Sequence, residues 1–113
     1  MIAKFIQDNG LHKDEDIEKI RDCVYKHLMF GTLVTLYDKK GLYAVTLFNV
    51  DGKVAIILDT VVRKDKRSPQ VLKDMIKEGL LRFPKCKYLK FERALKNKPM
   101  HLVNINKFLK EKH

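Results

Sequence analysis

Residues 63–75, RKDKRSPQVLKDM, hold five cationic side chains, and four of them, Arg63, Lys64, Lys66 and Arg67, stand directly before Ser68-Pro69. Cations gathered at a helix start suit an anion. The first helical N–H groups and the positive end of the dipole point at it, and arginine can grip phosphate with two hydrogen bonds. The same residues would also make a well-solvated turn. A second basic stretch joins Lys85, Lys87 and Lys90 to Arg93, Lys96 and Lys98. Such a surface would meet nucleic acid through phosphates, with strong salt dependence. Tyr88 and Phe91 fall inside it and could stack on bases. At strand positions, however, core packing is their expected use. No basic-aromatic signature of an RNA-recognition module is present.

Other chemistry finds little footing. Cys23 and Cys86 lack motif spacing and are expected to be buried, inert thiols rather than a disulfide, a metal pair or nucleophiles. His12, His27, His101 and His113 form no ligand cluster, so no metal site is expected. The first ten residues lack the apolar core of a signal peptide. No run approaches the roughly 18 apolar residues that span a bilayer, and the tail NKFLKEKH is too short an amphipathic stretch to anchor one. A reducing, cytoplasmic setting without membrane attachment is the expectation.

The elements that must position these residues read clearly. MIAKFIQDNG predicts a short helix with Ile2, Phe5 and Ile6 on one face. Ile17, Ile20, Val24 and Leu28 predict a second helix, from about Asp14 to Met29, with Cys23 and Tyr25 on its flanks. Asp14, Glu15 and Asp16 suit its positive end, and Gly31 marks its exit. TLVTLY (32–37), LYAVTLFNV (42–50) and KVAIILDTVVR (53–63) predict three strands joined by Asp38–Gly41 and Asp51-Gly52, hence an antiparallel meander. The run Val54 to Leu58 hardly alternates, as a strand covered on both faces would. Ser68 as N-cap and Pro69 at the first helical position predict a helix from 69 to about 82. Val71, Leu72, Met75, Ile76 and Leu80 would be its buried face, and Phe83-Pro84 its close. KYLKFER (87–93) predicts a strand reached by a crossover and so parallel to the third. MHLVNI and the tail predict a short strand and a helical turn or two, with Phe108 and Leu109 docking on the domain or, as the alternative, on a partner. The chain of 113 residues, 45% hydrophobic, is expected to be one domain with helices on both faces of a mixed sheet, an α+β or mixed α/β class.

This order resembles the core of the Gcn5-related N-acetyltransferase superfamily, over roughly residues 12 to 93. In that family the third meander strand leads into a signature of the type V-R-P-x-x-R-G-x-G-x-G/A, which opens the helix that binds acetyl-CoA. VRKDKRSPQVL (62–72) is similar to it without gaps: Val62-Arg63 match its start and Arg67 its second arginine, while Ser68, Gln70 and Leu72 take the glycine positions. The resemblance implies a cofactor site over Val61, Val62, Arg63, Arg67, Ser68, Gln70, Val71 and Leu72. It implies Asp59, the carboxylate within the third strand, as the base; a structural acid that accepts backbone or arginine hydrogen bonds is the expected alternative. Short acetyltransferase-like bacteriophage proteins without the glycines are also similar.

The departures weaken that chemistry. Glycines let backbone N–H groups approach the pyrophosphate; Pro69 has no N–H, and Gln70 and Leu72 add side chains where close approach is wanted. Each lost charge-assisted hydrogen bond costs about 1.5–3 kcal/mol. Two would weaken binding by roughly a hundredfold or more. The family's late tyrosine, which protonates the leaving thiolate, has no counterpart after Tyr88. The reading is a small protein with a degenerate acetyl-CoA site and no cofactor, acting by binding or assembly. A protein partner or self-association is expected, in a host cytoplasm or a virion. An active acetyl-CoA-dependent N-acetyltransferase and a sequence-independent nucleic-acid binder, the latter motivated by the net charge of +10, remain as alternatives.

Overall fold

Local sequence sets the helix ends. The computed structural model describes residues 2–10, 14–91 and 102–110. Helix α1 (Ile2–Asn9) buries Ala3 and Ile6, and the Asn9 side chain closes it by donating to the Phe5 carbonyl at 3.0 Å. Helix α2 (Ile17–Phe30) starts later than the acidic run suggests. The Asp16 carboxylate accepts the Glu18 N–H at 3.0 Å, so Asp16 is the N-cap and Asp14 and Glu15 precede the helix. Gly31, at φ 71°, turns the chain into the left-handed region, and its N–H faces the last carbonyls of α2.

Three strands follow, β1 (Leu33–Asp38), β2 (Gly41–Asp51) and β3 (Val54–Val62), and then a single 3-10 turn (Lys64–Lys66). Helix α3 (Pro69–Arg82) has the bounds the Ser68-Pro69 start and Phe83-Pro84 stop predict. Ser68 is extended, as an N-cap should be, yet its hydroxyl makes no capping bond. Strand β4 (Tyr88–Phe91), strand β5 (Leu102–Asn104) and helix α4 (Ile105–Lys110) complete the described chain. Glu92 and Arg93, expected in β4, and Met100 and His101, expected in β5, lie outside the described residues. So do Lys96, Lys98, His12 and His113.

The five strands lie in sequence order in one sheet. β1–β2, β2–β3 and β4–β5 are antiparallel, and β3–β4 is parallel. The crossover through α3 gives the parallel pairing, as short turns cannot. Alternating side chains feed two cores. On the α3 side, Val34, Ala44, Phe48 and Ile57 pack against Met75 and Ile76, with Leu89 and Ile105 beside them. On the α1/α2 side, Leu33, Val45, Leu47 and Val61 pack against Ile6, Ile20 and Val24. Phe108 and Leu109 dock against the first core, as expected. Phe91 does too, its ring 6.3 Å from that of Phe108.

Three packing expectations fail. Leu28 is 59% exposed, and His27 takes its place under the helix, where its Nδ1 lies 2.8 Å from the Thr32 hydroxyl. Cys23 is exposed, because it lies off the Ile20–Val24 stripe, while Cys86 is buried. Tyr88 is partly exposed, because its neighbour Leu89 faces the α3-side core and alternation turns Tyr88 to the other side of the sheet.

Candidate functional site

The carboxyl end of β3 and the start of α3 bring most of the predicted residues together. Leu47 faces Asp59 and Phe48 faces Ile57, so Leu58 is an extra residue, a β-bulge. The bulge switches the faces of β3. Ile57 belongs to the α3-side core and Val61 to the α1/α2-side core, although both are odd-numbered. Asp59, opposite Leu47, is thereby placed on the α1/α2 side, near Cys23. Partial desolvation raises the Cys23 thiol above its ordinary value although the residue is exposed; Lys26 opposes that, and the Asp59 and Glu15 carboxylates add to it. A thiol shifted upward is a poor nucleophile.

β3 pairs with β4 only from Val54 to Ile57. Beyond the bulge, no described strand covers the far edge of β3, and the sheet opens. The Arg63 N–H bonds the Tyr43 carbonyl of β2 at 2.8 Å, so by alternation Val61 also faces β2, while Thr60 and Val62 face the opening. Helix α1 closes the opening from one side. Gly10 allows this, since a Cβ there would lie 3.2 Å from the Val61 side chain and 2.8 Å from the Ile6 carbonyl.

Both arginines of the signature-like segment are held within the fold. Arg63 donates from Nε to Asp65 at 2.6 Å and from one Nη to Asp38 at 2.6 Å. The pair of carboxylates holds its guanidinium well above its ordinary pKa, and it holds both carboxylates below theirs. Lys66 lies 3.5 Å from the same Asp38 and 5.6 Å over the Tyr43 ring. Arg67 donates to the Val62 carbonyl at 3.1 Å and to the Asn9 carbonyl, the last of α1, at 3.2 Å. One of the two arginines therefore ties the β1–β2 turn to the β3–α3 corner, and the other ties α1 to β3.

The first turn of α3 adds little to an anion site. Pro69 has no N–H, and the Val71 N–H is directed at the Ser68 carbonyl at 3.2 Å. Gln70 reaches along the helix to Asp74 at 2.9 Å, Val71 is buried in the core, and Leu72 packs against its edge. A cavity of about 20 Å³ lies elsewhere, between the second half of α3 and the sheet, lined by Phe48, Met75, Gly79 and Phe83 among others. None of the predicted site residues lines it. Its walls are almost wholly apolar, with Thr46 among them. Sequence reasoning did not find Asp38 and Asn9, which lie 25 and 58 residues from the arginines they bind and which no local pattern announces, nor Asp65, two residues from Arg63, nor Gly10, which lets α1 approach Val61. Among the described residues no three potential metal ligands come together, and no helix is long and apolar enough to cross a membrane.

Comparison with known proteins bears on the scaffold alone. No family model matches the chain, and no curated protein does. Among solved structures, it is similar to the crystal structure of glucosamine-6-phosphate N-acetyltransferase from Arabidopsis thaliana, with a TM-score of 0.54 at 13% identity, over 85% of this chain and 75% of that one. The meander, the crossover helix, the parallel strand and the helices on both faces thus make a mixed α/β fold of the Gcn5-related N-acetyltransferase kind.

Proposed function

We propose that this protein is an acetyltransferase-like scaffold whose acetyl-CoA site is degenerate, and that it acts by binding or assembly rather than by acetyl transfer. The observation that carries this reading is the internal use of Arg63 and Arg67. A pyrophosphate at α3 would have to compete with two carboxylates for Arg63 and with the Val62 and Asn9 carbonyls for Arg67. Desolvating those partners without replacing their bonds is costly. Pro69 removes one backbone donor besides. Isothermal titration with acetyl-CoA and with CoA tests this. The expected result is no binding in the micromolar range, and saturable micromolar binding would overturn it.

The second reading is an active N-acetyltransferase with Asp59 as base. It is supported by the bulge, which turns Asp59 toward α1 and α2 at the opening of the sheet. Acetyl transfer to amines and peptides, lost in Asp59→Asn, would establish it. The bacteriophage resemblance suggests a virion or host-cytoplasm setting for the binding role, and the genes beside this one test that.

A further inference from the structure

Away from the β3–α3 corner, one half of the sheet has no described helix on its α1/α2 side. The strand registers set two rows across its α1/α2 side: Asp51, Val54, Tyr88 and Asn104, then Asn49, Ile56, Lys90 and Leu102. Helices α1 and α2 pack on the other half of that side, over Leu33, Val45, Leu47 and Val61. Tyr88 is 36% exposed and Leu102 58%, and Asn49, Asp51 and Asn104 are exposed as well. Val54, Ile56 and Lys90 are half-buried between them. This is a mixed surface, on which Val54, Ile56, Leu102 and the Tyr88 ring lie among Asn49, Asp51, Lys90 and Asn104.

Its margin is cationic. Lys53 sits in the β2–β3 turn, and the Lys87 and Tyr88 N–H groups both bond the Lys53 carbonyl, at 2.7 and 3.2 Å. That places Lys53 and Lys87 beside Tyr88 at the same end of the sheet. Lys85 precedes β4 and is exposed, as are Lys53 and Lys87. Lys90 is on the surface itself. Asp51 is the one carboxylate among the eight surface positions. The chain as a whole carries +10, from 24 basic against 14 acidic residues.

We propose that this half-sheet is a binding surface for single-stranded nucleic acid, with Tyr88 stacking on a base and Lys90, Lys87 and Lys53 meeting the phosphates. The charge selects the occupant. Two copies of so basic a surface repel each other, whereas a polyanion gains from every lysine and releases its counterions. The exposed Tyr88 ring selects among polyanions, because unpaired bases offer it π-faces and a duplex hides them. The surface lies at the amino end of β3, opposite the arginine corner, so the proposal is independent of the acetyl-CoA question.

Fluorescence anisotropy with a labelled oligothymidylate and the matching oligouridylate tests it at about 50 and about 200 mM salt. The wild-type protein is expected to bind both strands more tightly than a duplex, and more weakly at the higher salt. Tyr88→Ala should weaken binding about fivefold or more, and Tyr88→Phe should restore it. Leu102→Glu, an exposed change that puts a carboxylate on the surface, should abolish binding without altering the thermal unfolding curve. Lys90→Gln should lower both affinity and salt slope, whereas Lys39→Gln, at the far end of the sheet, should change neither beyond its general charge effect. The proposal is overturned by no binding at low salt, by Tyr88→Ala matching wild type, or by Lys39→Gln equalling Lys90→Gln. Polyglutamate binding with the same dependence on Tyr88 would also overturn it and assign the surface to an acidic protein.

Discussion

The fate of individual charges and hydroxyls separates this protein from a simple reading of its sequence. Arg63, Lys66, Asp38 and Asp65 form one network, in which Asp38 is only 18% exposed and shared by two cations. His27 is the corresponding feature on the other side of the molecule. It is buried, bonded to Thr32, and the Thr32 N–H returns to its carbonyl at 2.8 Å, so the imidazole pins the end of α2 to the start of β1. Burial pushes its pKa below the ordinary 6.5, and hydrogen bonds to the Phe48 and Thr32 backbone only partly oppose the shift. The neutral ring is thus the form the fold prefers. Its contribution is complete above pH 6.5 and is lost as the pH falls through the lower folded-state value. Thermal unfolding followed against pH should show the melting temperature falling below pH 6.5, and His27→Gln should flatten that slope. Neither His27 nor the buried Lys73 of α3 is announced by the sequence. Both occupy positions that a hydrophobic stripe would assign to Leu28 or leave to solvent.

Among the elements, α3 was the most legible. Pro69 fixes its start, and Val71, Met75 and Ile76 recur on one face because steps of three and four return to the same side of a helix. Its one local weakness is Gly79, which faces Phe48 and Val34 across the core. A Cβ there would meet both at 3.7 Å, ordinary contact distance, and the position has helical backbone. Gly79→Ala should therefore stabilise the protein by about 0.5–1 kcal/mol, read as a higher denaturant midpoint at unchanged slope. Strand β3 was less legible. An apolar run from Val54 to Leu58 suggests cover on both faces, but Val54 and Ile56 are only half-buried. The bulge at Leu58 also re-aims everything after it. A bulge has no signature in an unbroken run of β-formers, so the face of Asp59 could not be read from its position.

At the scale of the whole molecule, the sheet has one long bare margin, at β1. The Phe48 N–H bonds the Thr32 carbonyl, so by alternation Leu33 and Thr35 turn their backbone groups away from β2. No described strand meets them, and Leu28, Met29, Phe30 and Leu81 stand exposed nearby, a setting that invites pairing with another chain. Arg82, from the end of α3, donates to the Gly31 and Leu33 carbonyls and so covers the start of this edge. Arg82→Ala should open it. Light scattering on the eluted protein is expected to show larger species than wild type at equal concentration; equal mass would mean that the edge is protected by other means.

The sequence by itself determined the elements, their order and the class of fold, because hydrophobic period, caps and turn residues act over a few positions. Only the tertiary structure decided which charges stay available. Arg63 finds Asp38 across 25 residues and Arg67 finds Asn9 across 58, and such partners are set by how the sheet and α1 pack. The same packing left the α1/α2 side of one half of the sheet without a described helix and turned Tyr88 outward, since α1 and α2 cover only β1, β2 and the end of β3.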